Sequence, residues 1–149
     1  MCTLTRKELT PRQRVTAECA HRGKPAVVTG CIDLLQGRYD VVDDALMLAL
    51  GGPHAEPVLN GAEGGKHGYW LRVWAARGLL HEWEDTAAPA IITATADPAW
   101  RVREMAAKVI ARHLVGEAFT AVTALRGDDV PRVRAAADRA VVVLTSRGA

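Results

Sequence analysis

The chain has 149 residues, 49% of them hydrophobic, and a formal net charge of +2. That length supports one domain with a real core. The near-neutral balance excludes a global field that would draw the whole molecule onto nucleic acid or membrane, so electrostatic function must come from the local arrangement of 19 basic and 17 acidic side chains.

Aromatic residues make up 5% of the chain, against abundant Ala, Val and Leu, a balance that favours close helix–helix packing over a β-sandwich core. Three cysteines, Cys2, Cys19 and Cys31, show no paired spacing, which argues for buried or idle thiols in a reducing compartment. Residues 1–18 carry no apolar core of signal-peptide length, and no run approaches the roughly 20 apolar residues of a membrane span. The expectation is a cytoplasmic protein without membrane contact.

Helix signals follow in chain order. Thr10-Pro11, cap then first-turn proline, opens a helix over residues 10–21 that Gly23 breaks. Residues 25–36 carry Val28, Ile32 and Leu35 at helical spacing and stop at Gly37. Residues 40–50 form the next helix, with Val41, Ala45 and Leu48 as its apolar stripe and Asp40, Asp43 and Asp44 near its positive end. Glycine-rich residues 51–68 allow a short helix over 53–60, and 61–68 reads as a mobile loop. Strong helices are expected over 68–82, 97–113 and 128–145, with shorter ones over 87–95, capped by Thr86, and 116–126. Asp97-Pro98 reads as cap and first-turn proline.

The long helices repeat. Leu71, Val102 and Val133 are thirty-one residues apart, as are Arg72, Arg103 and Arg134, then Ala75, Ala106 and Ala137, then Leu79, Ile110 and Val141. A period of that length marks stacked helix pairs. Residues 25–50 hold a degraded copy: Val41, Ala45 and Leu48 match Leu71, Ala75 and Gly78 if the offset is shortened by one. The segments 97–107 and 128–137 resemble HEAT repeats, in which an Asp precedes a Val-Arg pair followed by a small Ala. Asp97 and Arg103 are six apart, and so are Asp128 and Arg134. Upstream of Arg72 that position holds Lys66 instead.

The resemblance implies an all-α fold, a right-handed α-solenoid of about four stacked helix pairs with a degenerate first repeat and an N-terminal helix. Residues 1–149 form one domain in this reading, with well-matched repeats over about 53–145 and a cap over about 10–50. The resemblance also implies a protein–protein interaction role. Asp97, Arg103, Asp128, Arg134 and Arg72 form its structural ladder, each arginine's fork spanning a carboxylate of its own or the next repeat.

A second ladder, Arg77, Lys108 and Arg139, points away from the buried stripe at 100° per residue. The same face takes Trp70 and His81, then Arg101 and Arg112, then Arg132. In HEAT-like proteins the second helix of each pair lines a concave surface, so the resemblance places Trp70, Arg77, His81, Arg101, Lys108, Arg112, Arg132 and Arg139 on a basic strip. Such a strip attracts an anionic partner, and arginine suits bidentate recognition of its oxyanions. The plain alternative is a solvated face paired with its own Glu104 and Asp138.

No catalytic constellation emerges. His21, His54, His67, His81 and His113 lack metal-ligand spacing, and residues 61–67 are not a P-loop. No cofactor is expected. The expected function is a non-catalytic scaffold whose basic concave face binds another protein with an acidic or extended segment. The alternative is a nucleic-acid-binding protein related in fold to the HEAT-like DNA alkylation-repair glycosylases, although no position here matches their catalytic Asp. The HEAT-like phycobilin lyases share only the repeat.

Overall fold

Thr10 accepts a hydrogen bond from the Gln13 amide while the Gln13 side chain accepts one from the Thr10 amide, a reciprocal capping box that starts helix α1 (Pro11–Arg22). A computed structural model describes residues 9–147. Cys2 and the start of the polar N-terminal segment lie outside the described residues. Among the described residues every regular element is helical, and none is long and apolar enough to cross a membrane. The contacts divide after Glu84 into two compact units.

The first unit holds α1, α2 (Lys24–Leu35), α3 (Asp44–Gly51), α4 (Ala55–Leu59) and α5 (Trp70–His81). Gly23, at φ 94°, turns the chain from α1 into α2. Helices α1, α2 and α3 each pack on α5. Val27, Cys31 and Leu34 of α2, Leu46, Met47 and Leu50 of α3, and Leu71, Ala75 and Leu79 of α5 are almost fully buried. Each large aliphatic among them contributes roughly 1.5–3 kcal/mol by leaving water.

Two sequence expectations fail in this unit. Helix α3 starts at Asp43, whose carboxylate accepts from the Leu46 amide at 2.8 Å, and residues Tyr39–Val41 form a separate 3-10 turn. The expected stripe is therefore displaced: Val41 is 70% exposed and Ala45 is exposed, while Leu46, Met47 and Leu50 face the core. The degraded repeat aligned through Val41 and Ala45 loses its basis. Residues 61–68, expected as a mobile loop, fold as the 3-10 turns of Ala62–His67. His67 Nδ1 lies 3.2 Å from the Tyr39 hydroxyl, and Lys66 pairs with Asp44 at 3.2 Å.

The second unit is two helix pairs: α6 (Ala88–Ala94) with α7 (Trp100–His113), and α8 (Phe119–Ala124) with α9 (Pro131–Arg147). Helices α7 and α9 pack side by side. The thirty-one-residue period is visible in their burial. Val102 and Val133 are fully buried, as are Ala106 and Ala137, and the methyl side chains let the two helix backbones approach. Thr86 does not cap α6, whose N-cap is Ala87 without a side-chain hydrogen bond, and a 3-10 turn over Asp85–Ala87 leads into it. Asp97 and Asp128 each bend the chain instead of capping it. Their carboxylates accept from the amides two residues on, Ala99 and Val130, both at 2.9 Å.

Candidate functional site

The structural ladder takes a definite form in the second unit. Arg103 donates through Nε and Nη2 to the two oxygens of Asp128, at 2.8 and 3.2 Å, and through Nη1 to the Asp97 carbonyl at 2.9 Å. It thereby holds the loop before its own helix and the acid before the next. Arg134 repeats the inner half of this clamp, donating to the Asp128 carbonyl at 2.6 Å. Arg72 reaches the Gly68 carbonyl at 3.4 Å, four residues back rather than six. Hydrogen bonding from Arg103 is the main cause that lowers the pKa of Asp128.

The residues expected on the basic strip divide between the units. Trp70, Arg77 and His81 belong to the first. Trp70 is partly buried, its ring 5.0 Å from Tyr69 and 6.2 Å from the buried Trp74, so it is not an open aromatic anchor. His81 closes α5 and is partly buried. Arg77, expected to point outward, is half-buried and donates through Nη2 to the Leu50 carbonyl at 2.7 Å. Burial lowers its pKa, and the neighbouring charge of Arg14 adds to that.

The other five residues share one surface of the second unit. Arg101, Lys108 and Arg112 fall on one side of α7, and Arg132 and Arg139, seven residues apart, on one side of α9. Trp100 joins the two helices: the Arg101 guanidinium stands 4.4 Å from its ring centroid and that of Arg132 5.5 Å. Below them Glu104, only 7% exposed, receives Lys108 at 2.8 Å and Arg132 at 3.1 Å. Asp138 is held by Arg126 at 3.0 Å and not by Arg139. Arg112 and Arg139 are exposed, and neither pairs with a carboxylate among the described residues. The face thus carries five cations around one buried acid, beside an aromatic platform.

Sequence reasoning missed two participants. Trp100 is not among the residues expected on the strip, yet its place beside Arg101 and one period before Pro131-Arg132 is the signal that links the helices. Arg14 carries no motif or period in the sequence. It is 5% exposed and donates to the carbonyls of Ala49 and Leu9 at 2.9 and 2.6 Å.

Among the described residues no three His, Cys, Asp or Glu side chains gather as metal ligands. Cys19 and Cys31 are free thiols, their pKa values pushed by burial up to about 11 and about 12. A cavity of about 350 Å³ in the first unit is lined by Thr29, Asp33, Val42, Asp43 and Leu46, and its acids are already held, Asp33 by Arg38 and Asp43 by Arg22. No family model, curated protein or solved structure matches the chain.

Proposed function

We propose that the chain is a HEAT-like repeat scaffold whose second unit binds the acidic, extended segment of another protein across α7 and α9. The observation that carries this reading is the pair of guanidinia, Arg101 and Arg132, placed on the one ring of Trp100. Arg132 keeps 68% of its side chain in solvent despite its contact with Glu104. An extended acidic strand laid across the two helices meets cations at the start of both, at Arg101 and Arg132, and again further along at Arg112 and Arg139. The ring supplies an apolar surface for the strand's backbone or an aromatic side chain. The HEAT-like part of the reading is supported by the recurrence of the Asp turn, the Arg clamp and the buried Val and Ala one period apart.

The test is a titration of the full chain with a fluorescent Glu-rich peptide and, separately, with duplex DNA, each at two salt concentrations. The peptide is expected to bind, and Arg112→Glu with Arg139→Glu to weaken it at least about tenfold, since both contacts turn repulsive. Failure of the peptide to bind at low salt overturns the reading. Duplex binding that falls by about one power of salt concentration per phosphate neutralised replaces it with the nucleic-acid alternative.

A further inference from the structure

Arg14 and Arg77 come from α1 and α5, yet they meet at the end of α3. Arg14 Nε donates to the Ala49 carbonyl and Arg77 Nη2 to the adjacent Leu50 carbonyl, at 2.9 and 2.7 Å. These are among the last carbonyls of a helix, where no intrahelical donor remains and the dipole is negative. The chain then folds over the Arg14 guanidinium. Gly52 has φ 65°, and a Cβ there would fall 2.5 Å from Arg14 Cζ. At Gly51 a Cβ would fall 2.7 Å from the Trp74 ring. Two consecutive glycines are thus required by two side chains packed against them.

This arrangement is not a salt bridge. Neither arginine pairs with a carboxylate among the described residues. Arg14 Nη2 and Arg77 Nε and Nη1 make no hydrogen bond there, although a guanidinium offers five N–H donors. The end of an eight-residue helix supplies about half a negative charge against two full positive ones. Two like charges set side by side, with no counterion among the described residues, repel one another, and the helix-end carbonyls offset only part of that cost. Burial lowers the pKa of both groups. An arriving dianion would balance the charge and take up the idle donors, with Arg77, the less buried of the two, meeting it first.

We propose that Arg14 and Arg77, closed over by Gly51-Gly52, form a binding site for a phosphate group in the first unit. A dianion matches the two uncompensated charges, whereas a carboxylate neutralises one. The site is independent of the acidic-peptide surface on α7 and α9.

The test is thermal unfolding of the full chain in inorganic phosphate, glycerol phosphate, acetate or chloride at one ionic strength. Phosphate at roughly tenfold excess over half-saturation is expected to raise Tm by about 3–5 °C above chloride. Arg77→Gln removes that rise, Arg77→Lys keeps part of it, and the Arg112→Glu/Arg139→Glu chain keeps all of it. Glycerol phosphate acting as strongly as inorganic phosphate identifies a phosphorylated small molecule as the occupant, and a response to inorganic phosphate alone identifies the free ion. An equal rise in acetate, or none in phosphate, overturns the proposal. If Arg77→Gln does not fold, amide shifts of the unaltered chain decide: phosphate must move Gly51 and Gly52, and shifts confined to α7 and α9 refute the site.

Discussion

Arg103 meets Asp128 with two nitrogens on two oxygens, and both side chains are largely withdrawn from water, 18% and 8% exposed. Such a pair differs from Arg126–Asp138, where each partner is more than half exposed and the contribution is small. Asp128→Asn leaves a buried guanidinium with a neutral partner and is expected to cost about 2–3 kcal/mol, read as a lower urea midpoint with unchanged slope. The sign of the pH dependence follows. Asp128 has a lowered pKa in the folded state, so its contribution is complete above the ordinary aspartate value near 3.9 and is lost as pH falls through that value toward the lower one. The stability difference between Asp128→Asn and the unaltered chain should therefore shrink on acidification through that window. Periodicity makes both residues legible in the sequence, and they recur one unit apart. The direction of the reach, from Arg103 forward to the next acid, depends on where α9 lies and is not legible there.

Among the elements, α1 and α5 are readable because their signals are local. Thr10-Pro11 is followed by a Gln at the third helical position, and Leu71, Ala75, Gly78 and Leu79 form one continuous stripe, all buried. Helix α3 is not. Asp40, Asp43 and Asp44 all have cap chemistry, and only packing against α1 and α5 selects the start that turns Leu46 and Leu50 inward. Arg14 is hidden for the same reason, since the Ala49 carbonyl exists as its acceptor only once α3 ends beside α1. Gly78 shows what tertiary packing adds to helix propensity. Alanine is intrinsically preferred to glycine in a helix interior by about 1 kcal/mol. A Cβ at Gly78 would, however, stand 2.8 Å from Leu50 Cδ2 and 2.9 Å from Cys31 Sγ, and both neighbours are buried. Gly78→Ala is expected to destabilise by about 1–2 kcal/mol despite the better propensity, which chemical unfolding would register directly.

For the molecule as a whole, composition and period are enough to anticipate an all-helical chain, and they place the long helices within a few residues. They do not reveal the division after Glu84 or the inward turn of Arg77, because neither is a property of any one helix. Cys31, fully buried in the first unit with its thiol pKa raised to about 12, offers a reading of that unit's integrity. Alkylation at pH 8 should modify Cys31 only at the rate at which the unit opens, and mass spectrometry of denaturant-treated samples should show the label rising with unfolding. The Arg103 clamp also has an evolutionary side. Its two ends grip the Asp97 backbone and the Asp128 carboxylate, thirty-one residues apart along the chain, so a stray insertion between them pulls a rung from its socket. Descendants of such a gene should lengthen or shorten by copying or deleting entire modules, leaving the spacing inside each module untouched.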